Sequence, residues 1–152
     1  MSLLEKTAEL GLEWPAVAAP AGAYVPALAC GNIIFTAGQL PMKNGLLLAV
    51  GKVPTDVPLE AAQSCAAQAA LNALAAAAAV AGSPDNIKRI LRVNVFVNSA
   101  PGFIDQAKVA NGASDLLNQL FGQAGKHTRC AIGAAELPLN APVEVDLILE
   151  KK

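Results

Sequence analysis

Two residues near the C-terminus could do chemistry together: Arg129 and Glu144. A guanidinium is a permanent, two-pronged carboxylate binder. A carboxylate on an otherwise apolar strand is a candidate acid or base. The stretch 128–146 that carries both reads as strand, turn, strand, the second alternating Val143, Val145 and Leu147 with Glu144 and Asp146. Pro138 and Pro142 bracket the turn, where a missing N–H does least harm. This predicts a hairpin with Arg129 at its open end and Glu144 near its turn. With the turn centred on Leu139 and Asn140, Ala135 opposes Glu144. Arg129 and Glu144 then share one face but lie about six residues, or roughly 20 Å, apart along it. That is too far for one small substrate, so the two groups are expected to meet across a subunit interface.

Other reactive side chains are sparse. Tyr24 is the only tyrosine, either packed or lining a pocket with its ring and hydroxyl. His127 is the only histidine and adjoins Arg129, but Gly125 and Lys126 before it read as a loop. Cys130 alternates with Arg129 and so faces the other way, and no positioned base marks it as a nucleophile. No phosphate loop, dinucleotide fingerprint, HExxH or GxSxG occurs.

The elements that must position these residues follow from periodicity. Residues 2–12 form a short helix capped by Ser2 and stopped at Trp14-Pro15, the start of an N-terminal extension spanning 1–15. Two short strands, 25–29 and 32–37, flank a turn at Cys30-Gly31-Asn32, and Gly38 follows where backbone needs close approach or positive φ. Lys43-Asn44-Gly45 signals another hairpin, leading into a strand over 46–50. The spacing predicts a long helix over 58–81, with Pro58 near its first position and Gly82 as its stop. A strand over 89–98 and a helix over 105–121 precede the final hairpin. The order strand, strand, helix, strand, helix, strand, strand predicts an α+β domain covering 1–152: a mostly antiparallel sheet with both helices on one face.

Composition adds one structural expectation. Hydrophobic residues make up 54% of the 152 and charged residues only 15%. The apolar run 73–81 falls well short of the roughly 20 residues of a spanning helix. An apolar sheet face left bare would be buried against other copies of the chain. Three cysteines without CxxC spacing suit a reducing cytoplasm and offer neither a disulfide framework nor a zinc site, and no signal peptide is expected. A net charge of −1 and the lack of a basic run argue against nucleic acid as partner.

Three islands resemble the RidA/YjgF family of enamine/imine deaminases, also called endoribonuclease L-PSP proteins. They are Ala23-Tyr24-Val25-Pro26-Ala27 with Gly31-Asn32-Ile33-Ile34-Phe35-Thr36-Ala37-Gly38-Gln39-Leu40-Pro41, the helix–strand unit over 58–97, and the stretch 129–146. The resemblance implies a chorismate-mutase-like fold and a homotrimer with three clefts between subunits. It also implies hydrolysis of 2-enamine/2-imine acids to 2-keto acids and ammonia, with no cofactor and no metal. By position, Arg129 would bind the substrate carboxylate, Glu144 would orient or activate water, and Tyr24 would line the pocket. Backbone at Ala131 and Gly38 would hold the substrate, and Asn111 stands loosely where the family has a pocket asparagine. Departures are Ala131 where many members carry cysteine, Cys130 one position early, Ala37 in place of Ser or Thr, and the N-terminal helix. They indicate a diverged subgroup. A carboxylate-binding trimer without turnover and, more weakly, a ribonuclease are the alternatives.

Overall fold

A computed structural model describes residues 1–152. Helix α1 (Leu3–Glu9) is followed by strands β1 (Ala27–Cys30) and β2 (Ile33–Thr36), a small ribbon of β3 (Met42–Lys43) and β4 (Leu46–Leu47), and helix α2 (Leu59–Ala81). Strand β5 (Ile87–Asn98), helix α3 (Gln106–Phe121), β6 (Thr128–Ala134) and β7 (Val143–Lys151) complete the chain. The main sheet runs β1-β2-β7-β5-β6. Every pairing is antiparallel except β5 with β6, which are parallel. Both long helices cover one face, as expected of the α+β arrangement.

Local chemistry accounts for the boundaries. Ser2 and Glu5 form a reciprocal capping box on α1, the Glu5 amide donating to Ser2 Oγ at 3.2 Å and the Ser2 amide to Glu5 Oε2 at 2.7 Å. Asn44 and Gly45 both adopt positive φ (52° and 81°), which a two-residue hairpin turn between β3 and β4 requires. Pro58 caps α2 rather than occupying its first turn, and Gly82 ends it with φ of 86°. The alanines of α2 let it lie close to the sheet, where Ala66, Ala69, Ala70, Ala73 and Ala77 are fully buried. By length and hydropathy α2 would pass for a membrane span, yet 67% of its most apolar window is buried inside this fold. It is the core helix.

The expected β6–β7 hairpin does not form. β5 lies between them, paired to β6 on one side and β7 on the other. Two features explain the correction. Val93, Val95 and Val97 of β5 are buried under the helices and call for a central strand, whereas no residue of β6 is fully buried, the profile of an edge. And α3, sixteen residues long, is the crossover that a parallel pair needs, so β5-α3-β6 is one βαβ unit. The chain returns to β7 through a single 3₁₀ turn at Pro138–Asn140.

Candidate active site

The register decides where the chemistry points. Arg129 stands beside Val93, and Ala131 beside Val95, on the helix-covered side of the sheet. Glu144 stands beside Phe96 and Ile132, on the opposite, open side. Arg129 and Glu144 therefore do not share a face, contrary to the expectation from a hairpin. Two strands and three residues separate them, about 14 Å between backbones through the sheet. Cys130 does face away from Arg129, as expected, beside Asn94.

Around Arg129 the sheet edge meets α3. Nη1 donates to Asn111 Oδ1 at 2.8 Å and to Ser114 Oγ at 3.2 Å, and Nη2 donates to the Ala107 carbonyl at 3.3 Å. Residues 107, 111 and 114 recur at helical spacing, so one face of α3 supplies all three acceptors. A guanidinium has five N–H groups. The two left over, on Nε and Nη2, belong to adjacent nitrogens at the spacing of the two oxygens of a carboxylate. No carboxylate of the chain reaches Arg129. A half-buried cation held at one end, with its other edge free, is a receptor for an anion.

The Glu144 side is built by an irregularity in β2. Phe35 pairs with Ile148 and Gln39 with Val145, so three residues of the β2 side oppose two of β7, a bulge. Thr36 Oγ1 accepts from the Leu147 amide at 2.9 Å within this bulge. The displaced backbone brings Gly38 against the Glu144 side chain, so closely that a Cβ at position 38 would overlap the carboxylate. Close approach, not positive φ, distinguishes this glycine, since a Cβ there would have to displace the Glu144 carboxylate. Burial raises the Glu144 pKa above its usual range, and the nearby charge of Asp146 pushes it the same way.

Gly38 also lines a pocket of about 180 Å³ with Tyr24, Leu40, Met42 and Leu139. The Tyr24 hydroxyl is pinned by the Ala21 amide at 3.3 Å, while its ring remains half exposed at the pocket. Leu139 and Asn140 both hold φ of 56°, a conformation asparagine adopts readily but leucine rarely does. Buried Asn98 secures the turn: its Nδ2 donates to Asn140 Oδ1 at 3.0 Å and to the Ala141 carbonyl at 3.1 Å, while its Oδ1 accepts from Lys52 Nζ at 2.9 Å.

The sequence-derived residues thus fall into two clusters, Arg129, Ala131 and Asn111 at one edge and Tyr24, Gly38 and Glu144 on the open face. Asn111, placed loosely by spacing, bonds directly to Arg129. Sequence reasoning missed Ser114, which the helical spacing from Asn111 could have signalled, and Asn98, for which a buried amide closing a strand gives no local pattern. His127 is not a bare loop residue: its ring nitrogens lie 2.9 Å from Ser114 Oγ and 2.6 Å from the Gly125 carbonyl oxygen.

Comparison with known proteins agrees with this architecture. The model of the family described as "YjgF/chorismate_mutase-like, putative endoribonuclease" matches residues 5–151. Protein TCP17 of Trypanosoma cruzi is 42% identical over 142 residues, 93% of this chain and 89% of that protein. A crystal structure from Shewanella oneidensis described as a "putative endoribonuclease" superposes with a TM-score of 0.94 at 34% identity, covering 99% of both chains. One from Agrobacterium tumefaciens gives 0.91 at 40% identity, over 99% of this chain and 92% of that one. The 99% coverage by these two crystal structures reaches through the N-terminal helix, which they therefore share with this chain. With a matching model over nearly its full length and relatives above 30% identity, the chain belongs to the YjgF/chorismate-mutase-like family.

Proposed function

We propose that the protein is a hydrolytic deaminase of reactive 2-enamine/2-imine acids, working in the cytoplasm at clefts between the subunits of a homotrimer. The observation that carries this reading is the free, carboxylate-spaced edge of Arg129 on one cluster, set against a half-buried carboxylate with a raised pKa on the other. Neither cluster suffices alone. About 14 Å and the thickness of the sheet keep them apart within one chain, so a small substrate can touch both only if a second subunit brings its Glu144 cluster to the first subunit's Arg129. The open face supplies a reason to associate: Leu28, Phe35 and Ile132 are all at least 43% exposed on it.

Little machinery is required. Arg129 would hold the substrate carboxylate, and an iminium carbon beside it is already electrophilic. Glu144 would take a proton from water as the oxygen bonds to that carbon, giving a carbinolamine. Returning the proton to nitrogen lets ammonia leave as the C–N bond breaks, and the hydroxyl proton passes by way of Glu144 to that ammonia as the ketone forms. The sum is iminium acid plus water giving 2-keto acid plus ammonium. A raised pKa brings Glu144 nearer the working pH, where it can both accept and return that proton. Backbone at Gly38 and Ala131 and the ring of Tyr24 would fix the remaining orientation. A ribonuclease would need a basic footprint that the acidic pI of about 5.8 does not favour.

The test is imine hydrolysis, with imino acids generated in situ by an amino-acid oxidase and their loss followed by semicarbazone trapping. Arg129→Ala should lower kcat/KM by about 100-fold, the value of a bidentate charge-assisted contact. A wild-type protein that accelerates no small, branched or aromatic imino acid, while binding 2-keto acids through Arg129, would instead be the non-catalytic carboxylate binder.

A further inference from the structure

The acceptors around Arg129 are not equivalent. Asn111 Oδ1 and the Ala107 carbonyl only accept, but the Ser114 hydroxyl also donates, so its lone pairs point at Arg129 only if its hydrogen has a destination elsewhere. His127 provides one. Its Nδ1 lies 2.6 Å from the Gly125 carbonyl oxygen, and since a carbonyl cannot donate, Nδ1 carries the hydrogen. In the neutral ring Nε2 is then an acceptor, and at 2.9 Å it takes the Ser114 hydroxyl hydrogen. The Ser114 oxygen turns its lone pairs to Arg129 Nη1 at 3.2 Å. Hydrogen bonds run in one direction, from Arg129 to Ser114 to His127 to Gly125, each donor meeting one acceptor.

The far end of this chain is rigid. Gly125 is buried and lies so close to α3 that a Cβ there would overlap the Leu117 carbonyl. The imidazole, on the residue immediately before β6, is therefore anchored to the same helix that carries Ser114 and Asn111.

We propose that Ser114 and His127 are positioning residues for Arg129, fixing its Nη1 end so that the Nε–Nη2 edge stays turned outward for a carboxylate. This rests on the reading of Arg129 as the carboxylate clamp. Neither residue touches the substrate. A carboxylate is held alike before and during hydrolysis, so loosening the clamp weakens binding more than it slows the chemical step.

The variants are Ser114→Ala and His127→Leu, with His127→Gln as the conservative control because its amide oxygen can accept the same hydroxyl hydrogen. The first readout is nitrogen NMR of the Arg129 guanidinium in the intact oligomer without substrate. Wild type and His127→Gln are expected to show restricted rotation about the Nε–Cζ bond, and the other two faster rotation, with only Asn111 and the Ala107 carbonyl left to hold the group. The second is imine hydrolysis, where Ser114→Ala and His127→Leu should raise KM about tenfold with kcat within about twofold, and His127→Gln should recover. A guanidinium as restricted in Ser114→Ala and His127→Leu as in wild type, or a fall in kcat at constant KM, overturns the proposal. Altered guanidinium rotation in a protein that hydrolyses no imino acid would remove the deaminase reading and leave the positioning role in place.

Discussion

At the scale of residues, Glu144 couples the proposed chemistry to stability. Its pKa is raised in the folded protein because burial disfavours the charge, and Asp146 adds to the effect. The stability attached to such a carboxyl is fully present below its unfolded pKa and is lost as pH rises through the folded one. Glu144→Gln should therefore raise the melting temperature at neutral pH, with the gain vanishing in acid, while lowering kcat by about 10²–10⁴-fold. Thermal unfolding and imine turnover across pH check both signs, and a variant less stable than wild type at pH 7 would contradict them. Residue type marked Arg129 and Glu144 as candidates and the family resemblance added Gly38 and Tyr24, but how these side chains face was not legible. Facing along a strand reverses with every residue, so the parity of Arg129 and Glu144 depended entirely on which strands pair.

At the scale of elements, the reason for that error is specific. The helices and the strands of the main sheet were legible from their patterning, whereas β3 was not expected as a strand and Lys43 was placed in the turn; the Asn44-Gly45 turn is as its composition requires. The pairing of neighbours in sequence was not. β6 and β7 are consecutive, but the buried valines of β5 claim the place between them. The length of α3 was the overlooked signal, since a crossover of that size suits a parallel pair. α3 is also held at a definite distance from α2. Gly112 packs so closely on Gln63 that a Cβ would overlap the Gln63 carbonyl. Gly112→Ala should cost about 1–3 kcal/mol by overpacking, despite its gain in helix propensity. Because Asn111 and Ser114 flank it, the shift should also raise KM for a carboxylate substrate. Denaturant unfolding of Gly112→Ala that matches wild type would show that the helices part without strain.

At the scale of the whole molecule, the low charge of the sequence led to the expectation of an apolar sheet face, and Leu28, Phe35 and Ile132 are exposed on the open one. That other copies cover it, and that they number three, is the proposal, and mass photometry should return a single species at about three times the 15.4 kDa chain mass. The central claim is narrower: each site takes Arg129 from one subunit and Glu144 from another. Subunits carrying Arg129→Ala and subunits carrying Glu144→Gln, each inactive alone, can be unfolded together and reassembled at equal ratio. If the site spans subunits, a cleft is complete whenever a Glu144→Gln chain supplies the arginine and an Arg129→Ala chain the carboxylate, and activity should return to about a quarter of wild type. If both groups act within one chain, the mixture will stay as inactive as its parents, and the shared-cleft account is wrong.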